Sequence, residues 1–481
     1  MSTAVIIGGG ISGLSSAFYL QKTSSFAKII VLESSNRVGG WMKTVNTEDG
    51  AKMEMGPRSI RPVGPSGFNT LYLAEELGLS NDVVPVLNSQ PAARNRFIYA
   101  NDRLNKMPNS LMSIFKTIPP FSKPLFKYVY HDFVTSKDSK EDESIYDFIS
   151  RRFDEDLAKY FIDPMCRGIY AGDCRKLSIK SCFRLLHSAE EKHGSVLKGL
   201  VAKISKKKDP PARLSDLVLK KTNEKWASYS FKQGLQQLSD GLRDAVSQNP
   251  AVEIAMNSRC SDLSFVNGKA TLTVNGDVIQ ADHVISSIYA NDLAKCLSKD
   301  HSALSNNLSR IPAVDAVVTC MEFDGNIQLP APGFGHLTPS FENSCVLGVI
   351  YDSCTFPQHD RPDKPSTRFT VMMGGSWMDD LKKQVPSMTP EDLGRFAVKS
   401  IQAQLKIDQE PARIHTEIQR ECIPQYILGH DKLLDSLFSG IREEKLPLSL
   451  VGSSYKGPSV NDCIDNARLE IERVTGATSL Q

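Results

Sequence analysis

No apolar run in the 481-residue chain approaches the roughly 18 residues that a membrane-crossing helix needs, which excludes a bilayer span of ordinary length. None of the ten cysteines (166, 174, 182, 260, 296, 320, 345, 354, 422 and 463) forms a C-x-x-C pair, and none stands with histidines at metal-ligand spacing. They read as free, mostly buried thiols, and no structural zinc site is expected. Net charge is nearly absent, at +2, so no bulk attraction for nucleic acid arises and any basic surface is local. Only Met1-Ser2-Thr3 precede the first apolar strand, so a secretory signal or cleavable presequence is not expected. With 41% hydrophobic and 23% charged residues the composition is that of an ordinary globular protein. The length suggests about two or three domains.

What is present starts at once. The apolar strand Ala4-Val5-Ile6-Ile7 runs into Gly8-Gly9-Gly10-Ile11-Ser12-Gly13. A helix then begins near Ile11, and a second apolar run, Lys28 to Leu32, ends in Glu33. Strand, glycine turn, helix and a strand closed by an acid make a dinucleotide site. Gly8 permits the tight turn, Gly10 lets the backbone approach a pyrophosphate, and Gly13 lets the helix pack on the strand. The helix start offers free N–H groups and a positive dipole end to phosphates. Glu33 is placed to accept hydrogen bonds from both ribose hydroxyls, and its charge disfavours the 2′-phosphate of NADP. Arg37-Val38-Gly39-Gly40-Trp41 follows directly. Arg37 and the glycine pair resemble the FAD-binding fingerprint of the amine oxidase superfamily.

Further along, Thr70 to Leu77 reads as a helix stopped by Gly78. From about 105 to 220 helical periodicity and lysines dominate. The chain returns to strands near Val252-Glu253-Ile254 and to a hairpin whose turn signal is Asn275-Gly276. Ala281 to Ser287 is a buried-strand pattern, a β-rich region runs from about 311 to 377, and a helix follows near 390–405. Leu448 to Gly452 is another buried strand. Val460-Asn461-Asp462 opens a last helix, capped by Asn461 or Asp462, with Ile464, Ala467, Ile471 and Val474 on its buried face. The expected fold class is α/β: a discontinuous Rossmann-like FAD-binding domain (1–85, 225–300 and 440–481), an interleaved α+β substrate domain (86–104 and 301–439) and a helical membrane-binding lobe (105–224).

These motifs, joined by Gly56-Pro57-Arg58, Arg94-Asn95-Arg96-Phe97, Cys166-Arg167-Gly168-Ile169-Tyr170, Gly333-Phe334-Gly335-His336-Leu337 and Val460-Asn461-Asp462-Cys463 in that order, resemble the protoporphyrinogen oxidase family nearly end to end, and its animal mitochondrial members most. The resemblance implies one non-covalent FAD, held by Gly8, Gly9, Gly10, Ile11, Ser12, Gly13, Glu33, Arg37, Gly40, Trp41, Gly56, Pro57, Arg58, Ser59, Cys260, Ser453, Pro458, Ser459 and Val460. It implies a tetrapyrrole substrate anchored through a propionate by Arg96 and bounded by Gly168, Phe334, Leu337, Val349 and Met372. Read without the resemblance, the last four are plain core residues, Gly168 is a turn glycine or a point of close approach, and Arg58 organises the flavin pocket or makes a structural ion pair. No catalytic side chain is expected, because the flavin itself accepts the hydride. The last helix would direct its N-terminus to the flavin and favour negative charge on the reduced ring.

The resemblance further implies molecular oxygen as the final acceptor with release of hydrogen peroxide, a homodimer, hand-over of product to ferrochelatase, and peripheral attachment to the mitochondrial inner membrane on its intermembrane-space side. Between Met107 and Phe133, aromatics and Leu111, Met112 and Ile114 alternate with Lys116, Lys123 and Lys127. That mixture suits the headgroup layer or, equally, a solvated helical lobe. The basic run Lys203 to Lys208 would add attraction to anionic lipid. Two other functions fit the same fold: a coproporphyrinogen-oxidising flavoenzyme, and a non-enzymatic carrier similar to the GDP-dissociation inhibitors.

Overall fold

The computed structural model describes every residue except Met1, Ser110, Ser139, 206–212, Leu214, Asn343 and Gln481. Five short apolar strands assemble into a wholly parallel sheet in the order Leu448–Leu450, His283–Ser286, Thr3–Ile7, Lys28–Leu32, Val252–Ala255. Parallel strands are covered on both faces, which is why these segments read as continuous apolar runs. Ala4, Val5 and Ile6 at the centre are wholly buried. The first crossover is the helix Ile11–Leu20, buried from Ser12 to its end, and it packs on the last helix, Val460–Thr475. Ile464 and Ile471 of that helix join the same core. Its cap is Ser459 rather than Asn461 or Asp462. The Ser459 hydroxyl accepts the Asp462 N–H at 3.1 Å, and the Asp462 carboxylate accepts the Ser459 N–H at 3.3 Å, a reciprocal capping box.

Turn chemistry sets the smaller elements. The hairpin strands Lys269–Val274 and Asp277–Ala281 meet at the pair Val274 and Asp277. Asn275 and Gly276 take φ of 52° and 95° between them, the backbone that a two-residue hairpin turn requires. The helix expected over Thr70 to Leu77 starts earlier, at Gly64, because Pro65 occupies its first turn.

A second, seven-stranded sheet has the order Arg413–Pro424, Ala313–Asp324, Ser366–Gly374, Val346–Tyr351, Gly335–Leu337, Phe97–Ala100, Arg103–Lys106. The Phe97 strand comes from the first hundred residues and lies parallel beside Gly335–Leu337. One face of this sheet, with Val317, Phe369 and Val371, packs under the helix Pro390–Leu405. The other face presents Val318 and Cys320 to Met53 and Met55, just ahead of the Gly56-Pro57-Arg58 loop.

Among the described residues, 111–224 are helical apart from their connections, and a buried ion pair fixes their packing. Arg152 and Asp132 are both 0% exposed. Arg152 Nε donates to Asp132 Oδ1 at 2.8 Å, and its Nη groups donate to the carbonyls of Thr135, Ser136 and Gly194. Asp132 in turn accepts from the Ser195 hydroxyl and the Leu197 N–H. Removing one partner strands the other charge in a dry site. Arg152→Leu should therefore cost about 3–5 kcal/mol, read from denaturant unfolding; a loss below about 1 kcal/mol, the ceiling for an exposed pair, would contradict this role.

Candidate active site

The glycine turn sits at the carboxyl end of the central strand. Gly8 has φ of +103°, and a β-carbon on Gly13 would stand 1.9 Å from the Gly8 carbonyl oxygen. Only a strand–helix turn without side chains closes so tightly. Gly10 begins the helix without a side-chain cap, leaving the first N–H groups directed at the space ahead of them. Glu33, 9% exposed, accepts the Gly9 N–H at 2.8 Å through Oε2 and the Ser35 N–H at 2.8 Å through Oε1. It ties the end of the second strand to the turn. The second glycine loop is drawn onto the first by the Gly39 N–H, which donates to the Gly9 carbonyl at 2.8 Å. Arg37 folds over that loop and donates to the carbonyls of Val38, Gly40 and Met42. Trp41 donates through Nε1 to the Tyr289 hydroxyl.

Cys260 starts a strand two residues after Ser258, whose N–H donates to the Glu33 carbonyl at 2.7 Å, so it lies beside the same strand end. Gly56 is wedged under the Trp41 carbonyl, and the Pro57-Arg58-Ser59 stretch that follows reaches the second sheet through Arg58. Arg58 Nη1 donates to Asp352 Oδ1 at 2.9 Å, and Asp352 also accepts the Thr370 hydroxyl at 2.7 Å. Arg58 Nη2 is buried without a partner. So is Oδ1 of Asn461, in the first turn of the last helix, whose Nδ2 donates to the Arg61 carbonyl at 2.8 Å. Buried polar atoms are nearly always paired, and a polar cofactor ring would give these two orphans the donor and acceptor they lack. With a bare glycine cradle at one end and unpaired donor and acceptor at the other, the residues present fit a flavin dinucleotide.

The predicted substrate residues divide. Arg96 is solvent-exposed. Its guanidinium lies 4.5 Å from the centre of the Phe334 ring, and Nη1 donates to the carbonyls of Ala92 and Asn95. Among the described residues its other guanidinium N–H groups have no protein partner. Desolvation of its inner end, and then the neighbouring Arg61, lower its pKa. Two arginines without a carboxylate between them suit an anionic visitor. Gly168 lies inside the helix Asp163–Tyr170, where a β-carbon would press 2.6 Å from Leu337 Cδ2, so it serves close approach and not a turn. Leu337 pairs with Gly348, and Gly348 with Met372, which puts Leu337 and Met372 on one face. Val349 is a correction. It pairs with His336 and Val371, is 1% exposed and points into the core under Pro390–Leu405. His336 shares that inner face, bonded to the Tyr351 hydroxyl and Gln404 at 2.9 Å each; burial holds its pKa down at about 4, so it is neutral. An open cleft of about 740 Å³ beside the edge strand Leu448–Leu450 shares no residue with any of these sites.

Ser453, Pro458, Ser459 and Val460 lie together on the turn into the last helix. Sequence reading missed Asp352, Arg61 and Glu54, and read Asn461 only as a helix cap; Asp352 meets Arg58 only through the pairing of the two sheets.

Residues 11–474 match the family described as flavin containing amine oxidoreductase. A protoporphyrinogen oxidase of Bos taurus is 38% identical over 98% of both chains, and a coproporphyrinogen III oxidase of Bacillus subtilis 26% identical over 97% of this chain and 96% of its own. The chain belongs to the protoporphyrinogen oxidase family of flavin-dependent oxidases. Its fold is shared with the crystal structure of a putative protoporphyrinogen oxidase from Exiguobacterium sp. 255-15, at a TM-score of 0.79 with 21% identity and 98% of each chain covered. The cofactor is FAD.

One buried acid beside this site titrates far from its ordinary range. Glu54, 5% exposed, accepts the Leu235 N–H at 2.6 Å and the Thr44 hydroxyl at 2.9 Å, and burial raises its pKa from 4.5 to about 7. The folded chain thus holds this proton where the unfolded chain has released it. The stability that the proton brings is complete below pH 4.5 and is lost as pH rises through about 7, a change of about 3 kcal/mol. Glu54→Gln should flatten the unfolding free energy across that window, and an unchanged pH profile would contradict the assignment.

Proposed function

We propose that the chain oxidises protoporphyrinogen IX to protoporphyrin IX through bound FAD, with molecular oxygen as the final acceptor and hydrogen peroxide as by-product, the penultimate step of haem biosynthesis. The observation that carries this reading is the apolar sheet face of Leu337 and Met372 under Gly168, adjoined on one side by Arg58 and on the other by Phe334 and Arg96. FAD supplies the hydride-accepting chemistry that no side chain here offers. The chain supplies the rest. The glycine turn and Glu33 hold the adenylate end, Arg58 and Asn461 meet the ring, and the apolar face receives a flat macrocycle. Arg96 clamps a propionate with its unused N–H groups and fixes which edge of the substrate enters.

The similarity of 38% to a protoporphyrinogen oxidase, against 26% to a coproporphyrinogen III oxidase, favours the substrate with two propionates. Product analysis with both porphyrinogens should show protoporphyrinogen turned over faster; preference for coproporphyrinogen, or turnover of neither, would overturn the reading. Because hydrogen bonds to a charged group contribute about 1.5–3 kcal/mol, Arg96→Ala should raise the substrate KM about 10- to 100-fold with bound FAD unchanged. Loss of flavin from that variant would instead place Arg96 in the cofactor site.

We also propose peripheral attachment to the mitochondrial inner membrane on its intermembrane-space side, through the helical lobe. Its support is the cluster of outward apolar side chains Met112, Phe115, Tyr130 and Val134, each 58–72% exposed, interleaved with Lys116, Lys123 and Lys127. Among the described residues no helix is long and apolar enough to cross a membrane. Of the second basic run, Lys206, Lys207 and Lys208 lie outside the described residues. In liposome flotation the protein should rise with vesicles containing anionic lipid, and a Phe115→Glu, Tyr130→Glu variant should stay below; no flotation of the parent protein with any vesicle would remove this proposal.

A further inference from the structure

Residues 425–430 leave the long Arg413–Pro424 strand and touch both the helical lobe and the turn into the last helix. Gln425 Nε2 donates to the Tyr170 carbonyl at 2.8 Å, at the end of the helix that carries Gly168. The Tyr426 carbonyl accepts the Ser178 N–H at 2.8 Å, and Ile427 bridges Leu177, both contacts reaching the helical lobe. The Tyr426 side chain goes the other way, into the turn between the edge strand Leu448–Leu450 and the last helix. Its hydroxyl donates to the Ser453 carbonyl and accepts the Gly457 N–H at 2.9 Å. Its ring stacks on His430 with 4.3 Å between centres and 16° between planes, while His430 Nε2 reaches the Tyr455 carbonyl at 3.3 Å.

A single hydroxyl therefore closes the span from Ser453 to Gly457. Gly452 and Gly457 take φ of +105° and +125°, so the ends of that span carry no side-chain stiffness and the tyrosine provides it. Tyr426 is 2% exposed. Burial raises its pKa and lowers that of His430, so the hydroxyl stays a donor and the imidazole stays neutral at physiological pH.

We infer that Tyr426 is a positioning residue for the flavin: through Ser453 and Gly457 it fixes where the N-terminus of Val460–Thr475 points, and it couples that placement to the helical lobe. The inference rests on the flavin-oxidase reading. The field of a helix end decays within its first turn, and a misplacement of about 1 Å at a reacting centre costs on the order of a hundredfold in rate, so a clamp on this turn governs catalysis without touching substrate.

The test is Tyr426→Phe in the FAD-loaded protein, which keeps the ring and its stacking but leaves the Ser453 carbonyl and the Gly457 N–H unpaired. The bound flavin should prefer its reduced form about tenfold less, a fall of about 30 mV in its two-electron midpoint potential. The kcat should fall about tenfold with KM for protoporphyrinogen within about twofold of the parent, and hydrogen exchange over 453–457 should quicken. His430→Gln, which keeps the hydroxyl but loosens the ring, should move the potential the same way by less, and serves in place of Tyr426→Phe if that variant does not fold. A parental potential and kcat would overturn the inference, as would a fall in Tm alone, which marks a purely structural tyrosine. A parent protein that holds no flavin would instead overturn the reading on which it rests.

Discussion

The carbonyl oxygen of Gly8 lies where a side chain on residue 13 would have to be, and the rest of the site depends on that packing. Because the first helix sits so close to the first strand, its uncapped start opens directly over the strand end. Glu33, arriving from the neighbouring strand, is then near enough to bond the Gly9 N–H. The Gly39 N–H reaches the Gly9 carbonyl for the same reason, and Arg37 has a loop to fold over. A β-carbon at residue 13 would move the helix, and each of these contacts would lengthen together. Such sites reward preorganisation, since groups already aimed at a ligand need not be ordered when it binds.

The second constraint joins the two sheets. The Arg58–Asp352 pair is buried, and buried pairs contribute little net stability after desolvation; what this one contributes is location. Asp352 is held by Thr370, which stands on the same strand as Met372 and two residues from it, so on the same face. The guanidinium proposed to border the cofactor is thereby registered against the face proposed to receive the macrocycle. Tyr426 performs a comparable task at the other end of the site. In both places a polar contact of long sequence separation fixes where two large apolar bodies meet.

Much of this was legible in the sequence, and the limits are physical. The apolar runs of the parallel sheet, the glycine turn with its acid and the Asn275-Gly276 hairpin are local signals, because backbone geometry at those points depends on adjacent residues alone. Gly168 was read as a close approach or a turn, and the helix around it settles the choice. Val349 could not be read correctly: strand alternation shows two faces but not which one meets the pocket, and a register shift between Val346 and Gly348 resets the parity. The cap at Ser459 was missed by two or three residues, the ordinary uncertainty of a helix boundary. Asp352, Arg152 with Asp132, and Tyr426 carry no local signature, since each acts across contacts that only the folded chain creates.

The central claim is that a flavin seated on this glycine cradle takes electrons from a reduced tetrapyrrole laid on the adjoining sheet face. Mixing the purified protein anaerobically with protoporphyrinogen while recording its visible spectrum tests that claim in one step. The account predicts a yellow protein whose flavin absorbance bleaches as porphyrin absorbance appears, and then recovers when air is admitted. A colourless protein, or a yellow one whose spectrum does not change, would contradict it.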